Sequence, residues 1–300
     1  NGNVALTAIT NLTGNPSQVI GSGANTIDFG AGGAGVELAL QVLDVRLRRV
    51  CLRMGLRIAG DTDLEVGDPL DAGHQLGNHT YGHVDMHAVG IPAFEDAILR
   101  GERALRPMLA KRGQAPRWFR HPYLRAGRTA EDKAAIAGFL SRHGYRIAPV
   151  TVDNSEWIWA FAYARVLDEQ TDTPARTALL KRLRLGYVPY MLNKLDYYER
   201  QSQGLLGYAL PQILLLHANE LNAEAYAELI AGIERRGYRF VTLEDAMRDP
   251  AYASEDGYHG RYGPSWLHRW AMAAKKPNDF YAGEPVVPKW VLDLAGVESE

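Results

Sequence analysis

Residues 142–151 read RHGYRIAPVT and residues 235–244 read RRGYRFVTLE, and these two junctions decide the fold class. In each, a helical pattern runs into a glycine, Gly144 or Gly237. Glycine takes the left-handed conformation that closes a helix without a Cβ clash. A β-branched or aromatic strand begins directly afterwards. Working outward, the pattern predicts helices over about 129–142 and 222–236 leading into the junctions, and strands Tyr145–Val152 and Tyr238–Thr242 leaving them. A further helix is expected over 93–112 with its stop at Gly113, followed by a short extended piece, Arg117–Tyr123. Residues 174–205 read as mostly helical, and Gln212–His217 as a strand apolar enough to be buried on both faces. Repeated helix-to-strand units imply an α/β fold with a mostly parallel sheet, closed or nearly closed into a barrel.

The ends differ from this middle. Residues 1–70 begin with a strand, Val4–Thr10, then a loop carrying seven glycines between Gly14 and Gly35, then an amphipathic helix over 36–54. Residues 251–300 have little regular periodicity and many Gly, Pro, Trp and Tyr residues, so they are expected to wrap the rest rather than form a second domain. Three hundred residues at 46% apolar content suit one core and a single domain spanning 1–300. The formal net charge of -2 is spread without a polybasic run, which argues against nucleic acid or an anionic membrane surface as partner. No uninterrupted apolar stretch of about 18 residues predicts a spanning helix. Cys51 is the only cysteine, so neither an intrachain disulfide nor a thiolate cluster can form.

Chemistry concentrates at the ends of the expected strands. Asn78-His79-Thr80-Tyr81-Gly82-His83 places two histidines four residues apart, which on a helical turn share one face and can reach one cation. Imidazole nitrogens suit zinc and similar ions, and a catalytic site needs a third protein ligand and an open position. Three further runs follow: Arg120-His121-Pro122-Tyr123, Asp153-Asn154-Ser155-Glu156-Trp157 and Leu214-Leu215-Leu216-His217. Read singly, each has a plain structural alternative. A histidine ending a leucine strand is by default a core residue with a backbone partner, and Arg120 with Asp153 could be an ordinary ion pair.

Taken together, the four runs resemble, in order, motifs two to five of the polysaccharide deacetylases with a NodB-homology domain, family 4 of the carbohydrate esterases. The resemblance covers roughly residues 70–250, and Ser265–Trp270 resembles a tail of one branch. It implies a distorted (β/α) barrel and a metal-dependent hydrolase removing acetyl groups from N-acetylated, less often O-acetylated, carbohydrate. It further implies one divalent ion, zinc by type, on His79 and His83. The Tyr123 N–H would stabilise the oxyanion, Arg120 would orient the base, and His217 would be the general acid held by Asp153. Trp157 and Leu214 would wall the acetyl methyl. A periplasmic or secreted location fits the family.

The resemblance fails at the first motif, an Asp-Asp pair closing the first strand, where this chain has Ala8–Thr13 without a carboxylate. Asp28, in Thr26-Ile27-Asp28, is the first substitute, and Asp61, Asp63 and Asp68 are others. The motif-four position of a second Asp holds Glu156. The alternative function is therefore a catalytically impaired relative that still binds carbohydrate.

Overall fold

The parallel ladder that organises the molecule starts at the N-terminus, where β1 (Asn3–Leu6) lies between two later strands. The structure, a computed structural model, describes residues 3–6, 75–168, 172–217 and 219–300. The remainder of the expected first strand, the glycine-rich stretch, the expected helix 36–54, Asp28, Asp61, Asp63 and Asp68 lie outside the described residues.

β1 pairs in parallel with β4 (Gln212–Leu214), in register Val4 to Gln212, and with β5 (Arg239–Phe240), in register Val4 to Phe240. A second parallel pair joins β2 (Trp118–Phe119) to β3 (Arg146–Ile147). Bridges from Asn78 to Phe119 and from Val152 to Leu214 link these pieces. The strand beginning at β3 borders β2 first, where the Ala148 N–H donates to the Phe119 carbonyl at 2.7 Å. It then shifts to β4, where the Val152 N–H donates to Ile213 at 3.0 Å. The order across this parallel arc is thus Asn78, β2, β3 with its extension to Val152, β4, β1, β5. Regular pairing is shorter than the extended runs expected from sequence, and closure into a barrel is not seen among the described residues. The arc still brings the C-terminal ends of its strands to one edge, where parallel α/β folds carry their sites.

Helices cover the arc. Short α1 (Met86–Val89) leads through Gly90 into α2 (Ile91–Ala110). Helix α2 buries Phe94, Ala97, Ile98, Gly101, Glu102, Leu105 and Leu109, the three-and-four spacing of one face. Helix α3 (Ala130–Arg142) opens with a reciprocal capping box between Thr129 and Asp132 and closes at Gly144, φ 74°. Phe94, Ile98, Phe119, Ile136, Phe139, Leu140 and Tyr145 form the core that these two helices share with β2.

Helix α4 (Glu156–Asp168) has no counterpart in the sequence pattern, because Trp, Phe and Tyr lie on nearly every side of it. It packs against α5 (Pro174–Leu206), α6 (Glu220–Arg235) and the C-terminal α9 (Lys289–Ala295). Helix α5 is 33 residues, about 50 Å long at 1.5 Å per residue, capped by Thr173 and ended by Gly207 in the left-handed region. Trp159, Tyr187, Leu183, Leu195, Ile233 and Val291 fill the main core between them. Short α7 (Leu243–Ala246) precedes residues 251–300, and that tail carries α8 (Trp266–Ala273) and α9, helices where the sequence showed little regular periodicity. No helix of the described residues is long and apolar enough to cross a membrane.

Candidate active site

The histidine pair sits in a loop, not on the helical turn that its spacing suggests. Thr80 and His83 both take left-handed backbone angles, φ 68° and 48°, which breaks any helix through residues 79–83. The loop nevertheless brings the rings together, with centroids 4.8 Å apart and planes at 73°. Nδ1 of His79 lies 2.7 Å from the Arg120 carbonyl, which can only accept, so Nδ1 carries the proton and Nε2 keeps its lone pair. On His83, Nδ1 is buried without a hydrogen-bond partner among the described residues. Burial holds the His79 pKa well below the usual imidazole value, and lowers that of His83 to about 4. Both rings are therefore neutral at pH 7, the form that donates to a cation.

Beside them, β2 runs into the turn Pro122–Leu124, where Tyr123 stands at φ 55° with its ring 4.6 Å from that of His83. The tail holds this turn. A Cβ on Gly263 would fall 1.9 Å from the Tyr123 carbonyl oxygen, so the tail can approach so closely only with glycine there. From α8, buried Arg269 donates to the Leu124 carbonyl and pairs with Asp256 at 3.0 Å. Its guanidinium also lies 4.1 Å over the Trp266 ring. The run Ser265–Trp270 thus acts as a buttress for the Tyr123 turn. Arg120 is buried, its Nε donates to the Ala148 carbonyl at 3.3 Å, and desolvation lowers its pKa to about 9.

The carboxylate that the structure places on His217 is Glu156, where the resemblance implies Asp153. Nδ1 of His217 lies 2.7 Å from Oε2 of Glu156. Glu156 is the first residue of α4 and only 1% exposed. Its second oxygen accepts from Asn222 at 2.6 Å and also from Asn219, both at the start of α6. A buried carboxylate with three N–H donors is fully satisfied, so His217 is gripped rather than merely near an anion. Asp153 accepts from the Asn154 backbone at 2.9 Å, and burial, opposed by Lys194, raises its pKa to about 6. The physical reason for the exchange is the direction of α4. Its first residue, Glu156, reaches His217 in the loop after β4, while Asp153 precedes the helix, one residue past the Val152 bridge.

Asn154, Asn219 and Asn222 are site residues that the sequence reading did not single out. Asn154 ties the two strand ends together by donating to the Leu215 carbonyl at 2.9 Å. The signal for the others was the helix cap, since the Asn219 side chain accepts from the Asn222 N–H. Trp157 packs at the edge of the main core, and Leu214 is 2% exposed within it.

The two imidazoles fit a divalent cation of the zinc type in chemistry and spacing. Among the described residues no group of three His, Cys, Asp or Glu side chains converges to complete such a site.

Residues 54–141 match the model of the polysaccharide deacetylase family, a segment that contains the His79–His83 loop and the Arg120–Tyr123 turn. No curated protein matches the chain. Among solved structures, a mutant of a CE4 family pseudoenzyme is 16% identical, with 59% of this chain and 49% of that one covered, at a TM-score of 0.38. The chain thus spans about half the length of that relative. The Xyl-CE4 domain of a multidomain xylanase, from the hindgut metagenome of Trinervitermes trinervoides, is 15% identical over 89% of this chain and 98% of that one, TM-score 0.38. A family 4 carbohydrate esterase from Streptomyces lividans, in complex with acetate, is 15% identical over 82% and 96%, TM-score 0.36.

Proposed function

We propose, because residues 54–141 belong to the polysaccharide deacetylase family, that this chain hydrolyses the acetyl group of an N-acetylated carbohydrate. The observation that carries the reading is the single edge at which His79, His83 and Tyr123 meet, together with a second histidine device, His217 on Glu156. The parallel arc is then one part of a distorted (β/α) barrel.

A zinc-like cation on His79 and His83 would polarise the acetyl carbonyl and acidify a bound water. The chain's own residues do the rest. The Arg120 carbonyl fixes the His79 tautomer and so selects the nitrogen that binds. The Tyr123 N–H serves the oxyanion, a contribution of about 3 kcal/mol for a preorganised donor. His217 gives the proton from Nε2 to the departing amine as the carbon–nitrogen bond breaks, while Glu156 steadies the ring through Nδ1. The sugar amine and acetate are the products. Arg120 orients the base, for which Asp28 is the candidate, and Trp157 lines the acetyl side.

A second reading is a carbohydrate-binding relative with impaired catalysis. It is favoured by one observation, that no carboxylate joins the two histidines among the described residues. Two neutral ligands leave the cation's charge uncompensated, which weakens binding. Metal analysis by mass spectrometry on purified protein, before and after a chelator, separates the two. We expect close to one zinc per chain, lost in His79→Ala. A chain that holds no metal even after incubation with excess zinc would contradict the deacetylase reading and leave the binding one.

A further inference from the structure

We infer that Asn78, Tyr145 and Glu102 form a positioning chain behind the two histidines, one that fixes the Thr80 turn and thereby holds His79 ready for its cation. The inference rests on the metal-binding reading above. All three residues are buried.

The chain of contacts is continuous. Asn78 Nδ2 donates to the Ile98 carbonyl at 2.8 Å and to the Tyr145 hydroxyl at 2.9 Å. Asn78 Oδ1 accepts from the Thr80 N–H at 2.9 Å. Turning the amide over would set its NH2 against the Thr80 N–H and its oxygen against the Ile98 carbonyl, so only one orientation is tolerated. The Tyr145 hydroxyl accepts from Asn78 and donates to Glu102 Oε2 at 3.0 Å. Glu102, on α2, is in turn paired with Arg106. Every donor and acceptor in this relay has one direction.

What the relay holds is a conformation that a threonine resists. A left-handed residue other than glycine costs about 1–2 kcal/mol, and the hydrogen bond from Thr80 N–H to Asn78 Oδ1 offsets that cost. His79 lies between these two residues, so the bond fixes both ends of its backbone. The same region is tied to α2 by the Tyr81 N–H, which donates to the Ala97 carbonyl at 2.8 Å. Helix α2 can come this close because Gly101 has no side chain. A Cβ there would lie 2.7 Å from Asn78 Oδ1 and 3.3 Å from the Thr80 carbonyl carbon. On the far side, the Arg120 N–H donates to the Asn78 carbonyl at 3.0 Å while the Arg120 carbonyl orients His79 Nδ1. The relay and the ring thus share one frame. Tyr145 reaches it from the glycine junction that ends α3, which gives that junction a use at the site as well as in the fold.

The test is titration of metal-free protein with zinc by calorimetry, with circular dichroism and thermal unfolding recorded on the same samples. Tyr145→Phe removes the central hydroxyl, and Gly101→Ala pushes on the Asn78 amide from the helix side. Each is expected to weaken zinc binding about 10- to 100-fold, the range for residues that orient a ligand from behind. Tyr238→Phe removes a hydroxyl paired with Glu199 in a remote part of the core and should leave zinc affinity unchanged. If Tyr145→Phe does not fold, Gly101→Ala alone decides. Wild-type affinity in the folded variants, even with a lowered melting temperature, overturns this inference and leaves the metal site standing. A wild-type chain that binds no zinc overturns the metal-site reading itself.

Discussion

At the scale of single residues, two carboxylates three positions apart do opposite things. Glu156 is saturated with N–H donors and holds His217, whereas Asp153 is buried against its own ionisation. Glu156→Gln keeps the shape but replaces a pure acceptor with an amide that also donates, so His217 loses its fixed tautomer. We predict acetate release lower by about 10²–10⁴-fold in Glu156→Gln, and within tenfold of wild type in Asp153→Asn. The reverse ranking would return the role to Asp153. Asp153 also makes a stability prediction. Its folded pKa of about 6 lies above the ordinary 3.8, so between those values the folded state holds more protons than the unfolded one. Stability is then lost as pH rises from about 4 to 6, by up to about 3 kcal/mol. Urea unfolding should show Asp153→Asn gaining on wild type at pH 7 and not at pH 3.5. Equal gains at both would show that the substitution acts through packing.

At the scale of elements, the helices were legible where caps and glycines bracket a stripe of apolar residues. The expected helix over 93–112 is α2 at Ile91–Ala110, and that over 129–142 is α3 almost to the residue. Helix α4 was not legible, because a segment apolar on every side has no stripe to read. The histidine loop misled for a different reason. Spacing of four is what a helical turn offers, but a left-handed Thr80 and His83 bring the same rings together by another route. Glu156 stood out in the sequence only as a departure from the family's Asp. Its partnership with His217 depends on where α4 begins, which no local pattern reports. One element-level contact can be tested directly. Gly263→Ala puts a methyl into the Tyr123 carbonyl, and the tail must retreat. A loss of about 1–3 kcal/mol is expected, together with reduced acetate release, because the turn carrying the Tyr123 N–H moves with it. Unchanged thermal unfolding would mean that the tail does not buttress the turn.

At the scale of the molecule, the tail binds the site region to the long helix. Buried Lys194 on α5 pairs with Glu284 at 2.8 Å and with Glu300 at 3.3 Å, and Glu300 also accepts from Ser155, next to Glu156. The catalytic proposal therefore draws on α4, α5, α6 and the tail, although the family match ends at residue 141. The histidine pair lies inside that match and the His217–Glu156 pair outside it, so the account stands or falls on the two acting together. Acetate release from N-acetylglucosamine oligomers, measured in excess zinc for wild type and for His217→Ala, tests this most directly. The account predicts zinc-dependent release by wild type and a fall of about 10²–10⁴-fold in His217→Ala. Equal release by the two proteins, or none by wild type, would contradict it.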